Sequence, residues 1–295
     1  MAFSSEALKW KTAAPHRTSF HERNGVVWMK FDLLEKEDWL VHAFSTRIGG
    51  VSRDECATMN FSFDRDPEPE NVPENFRLFT EAAGLPYEKL VLSDQTHTTN
   101  IRRVVPEDAG TGLDGKMFQD MDGLMTNEAG LVLVTFYADC VPIFFADPVH
   151  RAVGLSHSGW RGTVQDMAGI TVRRMRSEFG SRPEELLCVI GPSICAECYE
   201  VGEEFADGEH FGREVFSDGD EPWKTSPVLR RAGNGRLRLD LWEANRRLLL
   251  RAGILPENLQ MPELCTCCNP EFLFSHRASG GKRGLLGAFL GIRDH

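Results

Sequence analysis

No stretch of this 295-residue chain approaches the roughly 20 consecutive apolar residues of a membrane helix, so no membrane partner is expected. Cations are in short supply. Only 33 Lys and Arg stand against 44 Asp and Glu, a net charge of -11, and a nucleic acid would want a basic face. A few arginines could still hold a small anion. The N-terminal stretch MAFSSEALKWKTAAPHRTSF lacks the apolar core of a secretory signal and is poor in acids. Residues 1–22 are therefore read as a flexible tail of a cytoplasmic protein. There are no internal repeats and no clean linker. Residues 23–295 are expected to form a single α+β domain, monomeric by default.

Eight cysteines are present: Cys56, Cys140, Cys188, Cys195, Cys198, Cys265, Cys267 and Cys268. In a long chain without an export signal, reduced thiols and metal ligands are expected rather than disulfides.

The stretch Gly130–Thr163 organises the rest. Apolar runs at Leu131–Tyr137, Val141–Ala146 and Ala152–Leu155 suit strands buried on both faces. Between and after them stand Asp139, Cys140 and His157. Burying such groups costs free energy unless they are paired or bind a metal, so a site is expected there.

Further strands are expected at Val26–Asp32, Leu40–Ser45, Leu90–Ser93, Ile101–Val105, Asp122–Thr126, Leu186–Ile190 and Leu259–Met261. Helices are expected over Pro73–Ala83, Val164–Phe179 and Leu241–Ala252, each closed by a glycine. The second would aim its positive end at His157 and Arg161. Asp240 and Glu243 make a capping box for the third. Residues 207–236 read as the least ordered internal part, and Phe274–Arg277 as a short strand between loops.

His97 sits in the polar loop Asp94–Asn100. With Cys140 and His157 it makes two imidazoles and one thiolate, a known catalytic zinc set with a position left for water. Asp139 and Asp122 are the nearest carboxylates for proton handling. Cys140 as a nucleophile with His157 as its base is the competing arrangement. A buried cysteine can also be a small hydrophobe. Cys195-x-x-Cys198 with Cys265, Cys267 and Cys268 offers the thiols of a structural zinc site, read without the paired spacing of a zinc ribbon.

Longer motifs carry a resemblance. They include His42–Arg47 with Gly49–Ser52, Met59-Asn60, Gln95-Thr96-His97, Asp122-Gly123 and Ala138–Pro142. They continue with His157–Thr163, Gly191–Ile194, Cys198–Gly202 and Cys265-Thr266 through Phe274–Arg277. In this order, over about residues 40–285, the sequence resembles the YfiH family, also called DUF152 or Cu-oxidase_4 and labelled a multicopper polyphenol oxidase (laccase). His276, where an aromatic is expected, and Ser158, where alanine is expected, depart from its pattern. The resemblance implies a YfiH-like sandwich of mixed β-sheets flanked by helices. It also implies His97, Cys140 and His157 as ligands to zinc, with copper as the alternative. The implied reaction is phosphorolysis of a purine nucleoside to free base and ribose 1-phosphate, with adenosine deamination and methylthioadenosine phosphorolysis alongside. In that reaction Arg47, Arg161 and Arg277 are the candidate anion holders. Asn60 and Gln95 are further substrate contacts, and Asp139 is the proton-handling carboxylate. The laccase label fits less well: none of the nine histidines forms a His-x-His pair, from which several copper sites are typically built.

Overall fold

Alternation along the strands divides the apolar runs between separate cores. In Val132–Tyr137 the side chains of Val132, Val134 and Phe136 enter one core, while Leu133 and Tyr137 enter another. In Val141–Asp147, Val141, Ile143 and Phe145 enter a third core, and Phe144 and Ala146 share the second. Side chains of period two on strands covered on both sides account for these unbroken apolar runs. The computed structural model describes residues 5–207, 210, 211, 216 and 227–294.

The strands of the first half are β1 (Thr18–Arg23), β2 (Val26–Phe31), β3 (Leu40–Ser45), β4 (Leu90–Leu92), β5 (Ile101–Arg103), β6 (Gly123–Thr126) and β7 (Val132–Tyr137). Those of the second half are β8 (Val141–Asp147), β9 (Ala152–Ser158), β10 (Leu187–Ile190), β11 (Glu200–Val201), β12 (Leu229–Arg231), β13 (Leu237–Leu239), β14 (Leu259–Gln260) and β15 (Leu286–Ile292). One six-stranded sheet has the order β1-β2-β3-β15-β7-β4, and a second the order β14-β10-β8-β9-β6-β5. Both mix parallel and antiparallel pairs. A small third sheet runs β11-β13-β12.

The helices are α1 (Asp32–Glu35), α2 (Asn71–Ala83), α3 (Trp160–Val164), α4 (Met167–Phe179), α5 (Leu241–Arg251) and α6 (His276–Ser279). Phe31, Phe44, Tyr137, Phe144 and Leu155 fill the space between the large sheets. Phe76 and Phe79 of α2 cover the outer face of the first. Met167, Val172 and Met175 of α4, with Leu248 and Leu249 of α5, cover the second. The result is the expected α+β sandwich of mixed sheets flanked by helices. Among the described residues no helix is long and apolar enough to cross a membrane.

Several expectations need correction. The supposed tail is built into the fold over its described residues. Thr18–Arg23 pairs with β2 along its whole length, and Trp10 bridges Leu264. Polar composition concealed this, because β1 is an edge strand with one covered face. The helix expected over Val164–Phe179 starts only at Met167, and a separate short helix, α3, precedes it. They part at Asp166, which takes a left-handed φ of 67° and caps α4 by accepting from the Gly169 amide at 3.1 Å. The end near His157 is thus a five-residue turn, too short for the positive end expected there. Phe274–Arg277 is no strand: Ser275 caps α6, accepting from the Ala278 amide at 3.1 Å. The central strand β15 has no counterpart among the expected strands, because Gly287 and Gly291 disguise it as loop. A Cβ at Gly291 would lie 2.3 Å from the Leu131 carbonyl oxygen, so close strand packing requires glycine there. Residues 208, 209, 212–215 and 217–226, within the stretch read as least ordered, lie outside the described residues.

Candidate functional site

Two connections cross from the first large sheet to the second at the same end of the sandwich. Residues 93–100 lead from β4 towards β5, and residues 138–140 lead from β7 to β8. They bring His97 and Cys140 to the seam. The β8–β9 register supplies the third member, with Pro142 opposite His157 and Val141 opposite Ser158. The ligand atoms of His97, Cys140 and His157 lie within 4.8 Å of one another, and His97 Nε2 is 3.7 Å from Cys140 Sγ.

The backbone is bent to achieve this. His97 has φ 66° and Asp139 φ 92°, a left-handed region costly for residues with a Cβ. Gly159 provides room: a Cβ there would stand 2.9 Å from both Cys140 Sγ and His97 Cδ2.

Asp122, fully buried, orients the centre. Its carboxylate accepts from His157 Nδ1 at 2.7 Å and from the amides of His97 at 3.1 Å and Thr98 at 2.7 Å. The Thr98 hydroxyl adds a bond at 2.8 Å. With Nδ1 engaged, His157 presents Nε2 to the centre, the usual carboxylate–histidine support of a metal ligand. Burial opposes the charge on Asp122, yet His157 and Thr98 hold its carboxyl below the usual range. Burial likewise pushes the Cys140 thiol up, but His157 and then His97 outweigh it, and the thiol falls to about 6. Burial works against a charged His157 too, but Cys140 and Asp122 lift it to about 9. The two shifts run in the direction of a thiolate–imidazolium pair. A mixed N, N, S donor set facing a cleft, with one imidazole oriented from behind, fits a tetrahedral ion with one position open. These three residues can hold a metal.

The cleft has two lobes, of about 740 and 880 Å³ with solvent-open space included, which meet at Cys140. Phe63 and Phe136 wall one lobe; Trp160 and Tyr199 wall the other. Arg65 and Arg283 line both. Burial and then Arg65 pull Arg283 down to about 10, and its Nε finds no partner among the described residues. His276 stands 3.5 Å from the Arg283 guanidinium, its pKa lowered by burial and then by Arg283. Asp64 and Asp94 line the first lobe and Asp139 the second, so the place for an anion is the junction where Arg65 and Arg283 face both lobes.

Of the residues singled out from sequence, Gln95 lines the first lobe, bonded to both backbone polar groups of Phe136 at 2.9 and 3.0 Å. Asp139 and Arg277 line the second. The Asp139 carboxylate accepts from Thr266 Oγ1 at 2.6 Å and from the Arg277 amide at 2.7 Å. The Arg277 guanidinium bonds the carbonyls of Cys198 and Glu200.

Three others lie apart from the cleft lining. Arg47 donates to the carbonyls of Ala57 and Pro270 and packs over Phe274. Arg161 packs over Trp160. Asn60 is buried and joins the two loops that carry the cleft arginines. It donates to Ser62 O and Asp66 Oδ2, and accepts from the Leu285 amide at 2.9 Å. Sequence reasoning missed Arg65 and Arg283, which belong to no spaced pattern. Ser158, buried, bonds Asn245 at 2.9 Å.

The family model described as "Multi-copper polyphenol oxidoreductase laccase" matches residues 41–293. The chain is 35% identical over 257 residues to the purine nucleoside phosphorylase YlmD of Geobacillus stearothermophilus, covering 86% of this chain and 90% of that one. It is 30% identical over 269 residues to the protein of the same name in Bacillus subtilis, covering 90% and 93%. The solved structure of YlmD from Geobacillus stearothermophilus superposes with a TM-score of 0.83 at 32% identity, covering 93% of this chain and 99% of that one. With the family model spanning nearly all of the sandwich, and with relatives and a solved structure matching over most of their length, this chain belongs to the YfiH (DUF152) family.

Proposed function

We propose that this protein is a purine nucleoside phosphorylase with zinc held by His97, Cys140 and His157. The observation that carries the reading is the pairing, in one cleft, of that donor set with the Arg65–Arg283 cation pair. Two relatives named purine nucleoside phosphorylase support it. Zinc, when bound, supplies Lewis acidity to the reacting groups.

The chain's own residues do the rest. Arg65 and Arg283 hold phosphate by charge-assisted hydrogen bonds and aim one of its oxygens at C1′. That oxygen forms the new bond to C1′ as the bond from C1′ to the purine nitrogen breaks, giving ribose 1-phosphate. The purine leaves with the proton that the attacking phosphate gives up, relayed through Asp139, whose carboxylate is held by Thr266 and the Arg277 amide. Phe63 and Phe136, or Trp160 and Tyr199 across the cleft, offer flat faces for the base. Gln95 and Arg277 border the substrate. Asn60 positions both cleft arginines. Arg47, with its guanidinium bonded to the Ala57 and Pro270 carbonyls, has no part in anion binding in this reading, whereas Arg161, stacked on Trp160 of the cleft wall, stays a candidate anion holder. Adenosine deamination and methylthioadenosine phosphorolysis are further reactions of the same centre.

The test is chromatography of inosine and adenosine incubated with the metal-loaded protein, with and without phosphate. The expected result is base release only with phosphate. Arg65→Ala and Arg283→Ala are each expected to raise KM for phosphate more than KM for the nucleoside. Base release that ignores phosphate, or oxygen uptake with phenols in its place, would overturn the reading.

A second reading rests on Cys140, His157 and Asp122, which line up as nucleophile, base and orienting carboxylate. His97 separates the two. A triad has no need of a second imidazole on the sulfur, so His97→Ala would leave a cysteine hydrolase active and disable the metal centre.

A further inference from the structure

We propose that Cys195, Cys198, Cys265 and Cys268 form a second, structural metal site, a tetrathiolate that binds zinc. The spacing is paired after all. Cys265 and Cys268 are themselves a C-x-x-C, which the intervening Cys267 masks, and each cysteine of the first pair lies 70 positions before its counterpart.

The topology explains how they meet. Strands β10 and β14 are parallel neighbours, with Cys188 beside Leu259, and both chains leave the sheet at the same end. The pairing resumes at the bridge between Ser193 and Cys265, which aligns the two C-x-x-C turns. The four sulfurs lie within 4.8 Å of one another, and those of Cys198 and Cys268 are 3.5 Å apart. A tetrahedral zinc with Zn–S bonds of about 2.3 Å has S···S edges of about 3.8 Å, so the ion fits with little movement.

The surroundings suit thiolates. The amides of Cys198 and Cys268 each point at the first sulfur of their own pair, and the Cys195 amide donates to Cys265 Sγ at 3.3 Å. The Lys11 ammonium lies between Cys195 and the Glu197 carboxylate, 3.4 Å from the latter, and its charge is shared between them. Cys195 and Cys265 are buried, and all four thiols are free. Four mutually adjacent thiols with no open position are a structural zinc arrangement.

The site also braces its neighbour. Thr266, inside the second turn, bonds the Asp139 carboxylate, and the Ile194 amide donates to the Asp139 carbonyl at 3.0 Å. Asp139 directly precedes Cys140. The tetrathiolate would therefore clamp the backbone that presents Cys140, whatever reaction occurs there.

The test is metal analysis with X-ray absorption on full-length protein carrying His97→Ala and Cys140→Ala, which removes the other donor set. One zinc per chain with four sulfurs at about 2.3 Å is expected. Cys198→Ser with Cys268→Ser in the otherwise native chain should lose one metal equivalent, and Cys267→Ser should lose none. In native protein Cys198 and Cys268, the partly exposed members, should resist alkylation until a chelator is added. That last measurement decides the matter even if a variant fails to fold. Free alkylation before chelation, a mass showing disulfides among these four, or iron in place of zinc would each overturn the proposal.

Discussion

The two thiol-bearing clusters of this chain solve opposite problems. The Cys195/Cys198/Cys265/Cys268 group is made of one residue type on two similar turns leaving parallel neighbours, with no sulfur facing the described cleft. The His97/Cys140/His157 group mixes donors and takes them from two crossovers and a strand end. Left-handed backbone at His97 and Asp139 and a glycine at 159 are needed to seat them. Structural sites are closed, whereas catalytic sites keep a position free. The strained, mixed and cleft-facing cluster is the one suited to chemistry, and the regular, enclosed one is suited to holding loops.

The sharpest way to break this contrast is Cys140→Ala. It is expected to abolish metal binding at the seam and nucleoside cleavage while leaving the tetrathiolate metal in place; metal content and turnover measured on one preparation check both. Gly159→Ala comes next. Its Cβ would meet Cys140 Sγ and His97 Cδ2 at 2.9 Å, and the flanking side chains must part. Seam-metal affinity should fall by on the order of 10–100-fold, as when support around a ligand is lost. Competition with a chromophoric chelator reads this, and unchanged affinity would show that the packing there is loose. Asp122→Asn removes the charge behind His157 and should cost on the order of 10-fold in the same assay, at the low end of that range.

A pH series sharpens the comparison further. Metal needs a thiolate and a neutral imidazole. In the metal-free protein Cys140 lies at about 6 and His157 at about 9, so between these values the ion must displace one proton, that of His157. Affinity should rise about tenfold per pH unit across this window and fall more steeply below it, where Cys140 is also protonated. A flat profile would contradict the ion pair. The smallest expected effect is that of Asn60→Ala, with a stability loss of about 1–3 kcal/mol from buried groups left unpaired. KM for phosphate should rise several-fold as the loops of Arg65 and Arg283 loosen. Denaturant midpoints and steady-state kinetics measure the two parts.

Much of the sandwich was legible because unbroken apolar runs bounded by Asp, Pro and Gly could only be strands covered on both faces. Leu40–Ser45 has the expected bounds. What stayed hidden had physical reasons. The strand β15 carries glycines where neighbouring chains press close, and β1 is polar because it lies at an edge. At the site, His97, Cys140 and His157 stood out as polar residues in or beside apolar strands, and the structure brings them together. From sequence Asp122 reads only as a proton carrier, because nothing in a linear pattern says that its carboxylate will face His157. Arg65 and Arg283 were invisible for the same reason: only the fold, with Asn60 bridging their loops, sets them in one cleft. The second C-x-x-C is present in the sequence but obscured by the cysteine inside it.

The most direct test of the central claim is an anomalous diffraction measurement at the zinc edge on crystals grown with phosphate. The expected result is a peak bonded to Cys140 Sγ, an imidazole nitrogen of His97 and Nε2 of His157, with phosphate on Arg65 and Arg283 in the adjoining cleft. A seam without metal, with Cys140 oxidised or covalently occupied and the arginines bare, would contradict it.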